Sequence, residues 1–465
     1  MAIDSTRIVE NEISYTINFS QDLIYLIFES YISKECEFVE KYYDIIDENK
    51  IRTRIHQNGK IYSHLKTVES MYKTVICHEN ILLPLVCRKS IEDSSYSASK
   101  KFDKLVECRL YNTKNEEPIE IKFEQIYYNK NLNDTFDSLM GAKQITLLNL
   151  LKNDNETIGK NSHLGSDEIL ANLRIEFEHP ESGPSNEILQ QMCLLIHRMD
   201  QIGRYQNISP MIPYTTMQNS IIYRKFEQEK LIYNSQDVTN VCRWALKLDG
   251  VRGRGLFTSN FCIIFMDDMQ MFSGHVPTIF SLNNVVAFQC ELIDGNCIYI
   301  TDLLHVFKYV YNNKTQYECS QDAYNIEPLN AVNMINFLHD KYKNEEIVIK
   351  TRDNKRITIK FQKFFDKPLP LNKITYNTVA TDGYVVLDTS MSYVKYKHVK
   401  TVELEYNDAA KVFLTLDGSL NNYKIDSKIK LEHGNIYETV IANDVITVIK
   451  SRPDRLVPQT LECNN

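Results

Sequence analysis

The sequence predicts an α+β protein built largely from antiparallel strands, and three observations carry that expectation. Apolar and charged residues alternate with period two in four separate runs of the first third. Apolar stripes at helical spacing follow Ser20 and Ser185. The last 65 or so residues break into short alternating runs separated by turn signals. A chain of 465 residues is too long for one ordinary core, and length alone gives roughly three domains.

In chain order, IVENEISYTINF (8–19) reads as a strand with Glu10 and Glu12 on one face and Ile13 and Tyr15 on the alternate positions. Ser20 can cap a helix whose Leu23, Ile24, Ile27 and Tyr31 form one stripe. IRTRI (51–55) places Arg52 and Arg54 opposite the isoleucines, and IEIKFE (119–124) places Glu120, Lys122 and Glu124 opposite Ile119, Ile121 and Phe123. NLRIEFEH (172–179) groups Arg174, Glu176 and Glu178. Residues 139–152 read as a helix, as does NEILQQMCLLIHRM after Ser185. Pro210 and Pro213 in NISPMIPYTT (207–216) then end regular structure and mark a domain boundary.

Charges at i and i+2 on four strands have two explanations. They are the solvated faces of an antiparallel sheet, or they line a closed barrel, whose interior and exterior residues alternate. Burying unpaired charges costs several kcal/mol each, so a barrel of this kind needs metal and an anionic ligand inside. Two Glu-x-Glu pairs supply hard oxygens suited to Mg2+ or Mn2+, and Arg52, Arg54 and Lys122 supply phosphate clamps. Residue patterns leave the two explanations level.

The stretch WALKLDGVRGRGLF (244–257) gathers Lys247, Asp249, Gly250, Arg252 and Arg254 within nine positions. A lysine at the end of an apolar strand, followed by Asp-Gly and arginine, fits a nucleophile beside a phosphate site. An amine attacks phosphorus only when unprotonated, and burial with neighbouring cations such as Arg252 lowers a lysine pKa. The same residues also fit a tight turn on a basic surface loop. Downstream, Glu291 lies in the strand VVAFQCELID and Asp302 at a strand end in IYITDLLHVFKY. Asp382-Gly383 precedes a Val-Val strand, and Lys395 and Lys397 share a strand face. VELEY, KVFLTL, IYETVI and VITVIK, with turns at Asp417-Gly418 and Asn443-Asp444, fit a small β-barrel of the OB type.

Composition narrows the classes. A net charge of -8 does not fit a protein that coats nucleic acid nonspecifically. Eleven cysteines without a C-x-x-C pair fit a reducing compartment with free thiols. The charged N-terminus and the lack of a run near ~18 apolar residues point to a soluble intracellular protein with no membrane partner. No P-loop, H-E-x-x-H or G-x-S-x-G motif occurs.

Lys247-Leu248-Asp249-Gly250-Val251-Arg252 resembles the first motif of the covalent nucleotidyltransferases, the fold shared by mRNA-capping guanylyltransferases and polynucleotide ligases. Glu291 resembles the third motif, Asp382-Gly383-Tyr384-Val385 the fourth and Lys395-Tyr396-Lys397 the fifth. Arg452-Pro453-Asp454-Arg455 is similar to the R-x-D-K of the capping enzymes' OB domain, with arginine where lysine is usual. With the N-terminal Glu-x-Glu strands added, the whole chain resembles the baculovirus late expression factor four family of mRNA-capping enzymes. The resemblance implies a triphosphatase-like β-tunnel domain (1–206), a nucleotidyltransferase domain (217–395) and an OB-like domain (396–465).

It further implies that Glu10, Glu12, Glu176 and Glu178 bind Mg2+ or Mn2+, while Arg52 and Arg54 hold the triphosphate. Lys247 becomes the nucleophile toward GTP, with Lys395 and Lys397 stabilising the α-phosphate. Asp249, Gly250, Arg252, Glu291, Asp382, Arg452 and Arg455 form the rest of the nucleotide site. The implied partners are 5′-triphosphate RNA and the other subunits of a viral RNA polymerase, in the host cell nucleus. Tunnel enzymes often begin with E-x-E-x-K, whereas Ser14 occupies the lysine position here, and Lys122 is a candidate replacement. Two rival functions are an ATP-dependent polynucleotide ligase and a noncatalytic polymerase subunit that keeps the fold as a docking module.

Overall fold

The computed structural model describes residues 7–17, 19, 21–97, 102–128, 169–203, 218–232, 240–282, 285–311, 319–350, 355–370, 381–453 and 455–461. They group into two compact units. One comprises residues from 1–213, 280–285 and 305–327, and the other residues from 214–279, 286–304 and 328–465. The helix expected at 139–152, Ser20 as a cap, and the proline-marked boundary at 207–216 lie outside the described residues. Among those described, no helix is long and apolar enough to cross a membrane.

The first unit is a closed eight-stranded barrel. Its strands are β1 (Arg7–Ile17), β2 (Glu37–Asp47), β3 (Ile51–His56), β4 (Ile61–His78), β5 (Ile81–Asp93), β6 (Phe102–Asn112), β7 (Glu120–Tyr128) and β8 (Ile169–Glu178). They pair in the order β1-β5-β4-β3-β2-β6-β7-β8, and β1 pairs with β8 to close the ring. Closure decides between the two explanations of the charged faces, because it gives each strand an inside and an outside. Ile13, Tyr15 and Ile17 of β1, Ile121 and Phe123 of β7, and Leu173 and Ile175 of β8 share one apolar cluster on the barrel wall.

Two helical segments complete that cluster. Helix α1 (Gln21–Ile27) continues as a π-helical turn over Phe28–Ile32, and Phe28 stacks on Phe123 at 4.0 Å. Helix α2 (Asn186–Gly203) begins where the Ser185 hydroxyl accepts the Ile188 N–H at 3.2 Å. Its Ile188, Met192, Leu195, Ile196 and Met199 are buried, so the stripe read from sequence is the face that packs. The barrel faces left for charge are thereby the ones turned from this cluster.

The second unit carries three sheets. Its strands begin with β9 (Gln228–Leu231), β10 (Val241–Leu248), β11 (Val251–Phe257), β12 (Phe261–Met266), β13 (Met271–His275) and β14 (Val285–Ile293). They continue through β15 (Cys297–Tyr311), which from His305 on pairs with β16 (Cys319–Asn325) within the first unit. Helix α3 (Pro328–Tyr342), β17 (Ile347–Lys350), β18 (Arg356–Phe361), β19 (Phe365–Asp366), β20 (Thr381–Asp388) and β21 (Tyr393–Lys397) follow. One sheet has the order β19-β10-β20-β21-β9, and a second runs β13-β12-β11-β14-β15-β18-β17. The third comprises β22 (Val402–Asn407), β23 (Val412–Thr415), β24 (Gly418–Leu420), β25 (Lys424–Asp426), β26 (Ile436–Ala442) and β27 (Val445–Ser451). It has the order β24-β23-β22-β26-β27-β25. Asn443 and Asp444 both adopt positive φ between β26 and β27, the conformation their residue types favour in a hairpin turn.

Two local expectations need correction. Asp302 lies in the middle of β15 rather than at a strand end, and Asp382-Gly383 is part of β20 rather than a turn ahead of it. Gly383 is required there by space. It has φ +96°, and a Cβ would stand 2.0 Å from the Tyr396 carbonyl oxygen of β21.

Trp244, the chain's only tryptophan, reports on the same sheet. It is buried in β10, donates from Nε1 to the Asp366 carbonyl at 2.8 Å and meets Tyr384 edge-on at 5.4 Å. Gly383→Ala is therefore expected to destabilise this sheet by about 2 kcal/mol or more. A lower urea midpoint in Trp244 fluorescence checks it, and an unchanged midpoint contradicts it.

Candidate functional site

The second unit contains a cleft of about 1660 Å³, and Lys247 stands in it at the end of β10. The β10–β20 pairing brings Lys247 Nζ within 3.0 Å of Asp382 Oδ2. Lys397 on β21 lies 3.7 Å from the same oxygen, 3.3 Å from Glu229, and donates to the Thr401 hydroxyl at 2.7 Å. Lys395, two residues earlier on that strand, lies 4.7 Å over the Phe226 ring. Burial, and next the charge of Lys247, hold its ammonium below the ordinary lysine value.

The remaining predicted nucleotide residues line the same cleft. Gly250 sits where a Cβ would meet the Leu292 carbonyl oxygen at 2.3 Å, which fixes β10 and β11 close to β14. Arg252 is opposite Glu291 in the β11–β14 register. Its guanidinium turns to Asp267 at 2.7 Å and lies 4.2 Å over the Tyr223 ring. Arg252 lines the cleft with Lys247 and is itself paired with Asp267, while the charges of Lys247 and Lys395 act on each other. Arg254, which has no motif counterpart, donates to the Ile221 carbonyl at 3.1 Å.

Arg452 contacts Glu403 at 2.7 Å and Glu438 at 3.4 Å, and Arg455 shares Glu403 at 3.0 Å. Asp249 forms an ion pair with Lys450 of β27. Sequence reading missed Lys450, Glu403, Glu438, Asp267 and Glu229. Glu403, Glu438 and Lys450 lie in the runs VELEY, IYETVI and VITVIK, noted only for their strand pattern, and no local signal marks Asp267 or Glu229.

Four oxygens in this cleft have no hydrogen-bond partner among the described residues: Gln289 Oε1, Glu291 Oε2, Thr301 Oγ1 and Asp302 Oδ1. Buried acceptors are normally satisfied, so these point to a ligand or to water. Asp302 is paired on its other oxygen with Arg224 at 2.7 Å, and burial raises its carboxyl to about 6 against that pairing. Burial likewise raises Glu291 to about 7, opposed by Lys247 and Arg252.

In the first unit, the sequence-predicted carboxylates come together on the adjacent strands β1 and β8. Glu12 is opposite Glu178, and Ser14 is opposite Glu176. Lys66 of β4 reaches Glu10 at 2.6 Å and Glu12 at 3.2 Å, and Arg88 of β5 reaches Glu12 at 2.6 Å. Lys122 sits instead on Glu176 at 2.6 Å and Glu120 at 3.0 Å, and Arg174 also pairs with Glu176. The charge missing at Ser14 is therefore met on β1 by Lys66 and Arg88, neither of which had been picked out. Arg54 forms a two-pronged pair with Asp44 at 2.8 and 2.9 Å, and Arg52 approaches the same carboxylate at 3.6 Å.

The carboxylates respond differently to this crowd. Burial raises Glu176, but Lys122 and Arg174 outweigh it and bring the group to about 2. Burial, then Glu10 and Glu120, raise Glu178. As placed, no three His, Cys, Asp or Glu among the described residues converge on a point that would hold a metal ion. Their oxygen chemistry and the like-charge crowding at Glu178 nevertheless fit a hard divalent cation.

A charge-lined eight-stranded barrel and a lysine-centred cleft, carried by one mostly β chain, define the class of protein. The chain belongs to the Late expression factor 4 (LEF-4) family, whose model matches residues 10–459. It is 46% identical over 466 residues to an mRNA capping enzyme LEF-4 of Autographa californica nuclear polyhedrosis virus, covering 97% of this chain and 98% of that protein. The mRNA capping enzyme LEF-4 of Orgyia pseudotsugata multicapsid polyhedrosis virus is 39% identical over 460 residues, with the same coverage. Among solved structures, the S. pombe Pct1 RNA triphosphatase covers 43% of this chain and 86% of its own. Its TM-score is 0.25 and its identity 12%, too slight a likeness to bear on function.

A pH dependence follows from Glu291. With its carboxyl near 7, it is mostly protonated below that pH and ionised above it. If the ionised form holds the nucleotide, enzyme–nucleotide formation gains a factor of roughly ten between about pH 6 and pH 8 from this group. Rate–pH profiles of wild type and Glu291→Gln check it, since the variant should lose that component. Superimposable profile shapes contradict it.

Proposed function

We propose that this chain is a bifunctional mRNA-capping enzyme that also serves as a subunit of a viral DNA-directed RNA polymerase in late transcription, in the host cell nucleus. The functional division follows the sequence: a triphosphatase tunnel over 1–206, a nucleotidyltransferase domain over 217–395 and an OB-like domain over 396–465. The observation that carries the reading is the convergence of all ten motif residues on one cleft, with Lys247 held at 3.0 Å by Asp382.

Lys247 Nζ loses its proton and attacks the α-phosphorus of GTP. The α–β phosphoanhydride bond breaks, pyrophosphate leaves, and a lysyl-GMP phosphoramidate remains. Lys395 and Lys397 stand where negative charge grows on the α-phosphate, and fixed cations act most strongly on developing charge. Arg452 and Arg455 exchange Glu403 for the phosphates and orient the leaving pyrophosphate. Glu291 and Asp382 hold ribose or metal, while Asp249 and Arg252 position the nucleotide. GMP then passes to the terminal phosphate of a diphosphate RNA end.

In the barrel, Glu10, Glu12, Glu176 and Glu178 would hold Mg2+ or Mn2+, which supplies charge neutralisation for hydrolysis of a terminal phosphate. Arg52 and Arg54 bind the 5′-triphosphate of RNA. With Glu291 given to ribose or metal, the unpartnered oxygens of Gln289, Thr301 and Asp302 favour guanine over adenine, because guanine presents N1–H and N2–H2 donors together. That supports capping over the ligase rival, which shares the lysine chemistry.

Lys247→Ala is expected to abolish covalent labelling by radioactive GTP while phosphate release from triphosphate-ended RNA persists. Glu12→Ala should do the reverse. A Lys247→Ala chain that still labels refutes the nucleophile. Wild type should label with GTP and not with ATP; the opposite preference makes it a ligase. Neither labelling nor phosphate release in manganese leaves only a noncatalytic docking role.

A further inference from the structure

The barrel interior contains a histidine that the capping reading does not use. His64 of β4 is opposite Arg52 in the β3–β4 register, so it faces inward with the two arginines. It is 3% exposed, and neither Nδ1 nor Nε2 has a hydrogen-bond partner among the described residues. The nearest acid is Glu92 of β5, with Oε1 at 3.5 Å from Nε2. Its ring packs on Tyr62 at 5.6 Å and 29°, and Tyr62 packs in turn on His56 at 5.4 Å and 27°.

His56 is the internal comparison. It belongs to the same stack but is satisfied, with Nδ1 3.0 Å from Glu40. Had packing been the only requirement at position 64, a phenyl ring would fill the stack without two stranded nitrogens. A buried imidazole whose edge is unmet, in a chamber already furnished with guanidinium groups, is suited to a ligand that accepts hydrogen bonds. The charged groups facing it are Glu92 from β5, Arg52 and Arg54 from β3 and Asp44 from β2. Arg52 and Arg54 share the single carboxylate of Asp44, and Glu92 is itself met by Lys66 at 3.6 Å, so the β3 side keeps a guanidinium charge that an anion can take.

Resting on the triphosphatase reading of the barrel, we propose that His64 contacts the substrate, hydrogen-bonding the phosphate chain alongside Arg52 and Arg54. Burial holds the imidazole below its ordinary value, so it is neutral before the ligand enters. A polyphosphate supplies the opposite charge that favours the imidazolium, and His64 takes a proton from solvent on binding. It thereby adjusts the chamber's charge to its occupant, which the permanently charged arginines cannot do.

The test uses the full chain and metal-free inorganic tripolyphosphate, titrated calorimetrically near neutral pH in two buffers of different ionisation heat. Wild type should take up a fraction of a proton per ligand bound. His64→Phe, which keeps the stack, should bind about tenfold more weakly and lose that uptake. His64→Gln, a donor that cannot titrate, should recover most of the affinity and none of the uptake. Unchanged affinity and proton count in His64→Phe overturn the proposal, as does wild type that fails to bind tripolyphosphate. Should His64→Phe not fold, the proton count of His64→Gln decides alone. A wild type that binds with uptake through His64, yet releases no phosphate from triphosphate-ended RNA, leaves the contact standing and removes the triphosphatase reading.

Discussion

Closing β1 on β8 forces the chain to satisfy buried charge, and most of the first unit follows from that constraint. Once the sheet is a ring, Glu12, Asp44 and Glu176 are nearly inaccessible to water. Each would be expensive if left alone, and stripping one partner from a buried pair costs about 3–5 kcal/mol. The interior answers mostly with cations from other strands: Lys66 and Arg88 for β1, Lys122 of β7 for β8 beside β8's own Arg174, and Arg52 and Arg54 for Asp44. These pairs tie β1 to β4 and β5 and tie β8 to β7, so neutralisation and strand register support each other. On the proposed reading, metal and triphosphate join a network that already has both signs in place.

The cleft of the second unit meets the same constraint with less margin. Glu403 occupies both Arg452 and Arg455, and Asp382 is shared by Lys247 and Lys397. Carboxylates here occupy the cations that a nucleotide's phosphates would take, and the exchange keeps each cation paired throughout. Asp249 with Lys450 links the turn after β10 to β27, joining residues about 200 positions apart at one edge of the cleft.

The strands were legible because period-two alternation is a local property, and all four charged runs of the first third are barrel strands. Barrel closure was not legible, since it depends on which distant strands pair. Lys66 illustrates the limit. It precedes a register shift between Val68 and Ser70, where β4 breaks its own alternation. Arg88 stands beside Lys89 rather than two residues from another charge, so no same-face pair marks it. In the cleft, the motif residues were legible by their order along the chain, and they line one cavity. Their partners Glu403, Glu438 and Lys450 were not, because ordinary alternating strands carry them. The pairing of Arg252 was missed for a similar reason: Asp267, its partner, lies in the turn between β12 and β13.

What separates the two interiors is how completely charge is balanced. In the barrel, Glu10, Glu12, Glu176 and Asp44 each have a cation within ion-pair distance, and Lys66 serves three carboxylates and Lys122 two. At the cleft floor, three lysines face Asp382 and Glu229, and burial keeps the carboxyl of Glu291 largely neutral up to about pH 7. Lys395 is the lysine left over, with a phenyl ring rather than a carboxylate beneath its ammonium. Burial first, and then the charge of Lys247, depress its affinity for a proton. A neutral ligand would leave the deficit in place, whereas a polyphosphate would remove it. The floor is thus short of one anion at Lys395, whose charge acts together with that of Lys247, the nucleophile proposed for GTP.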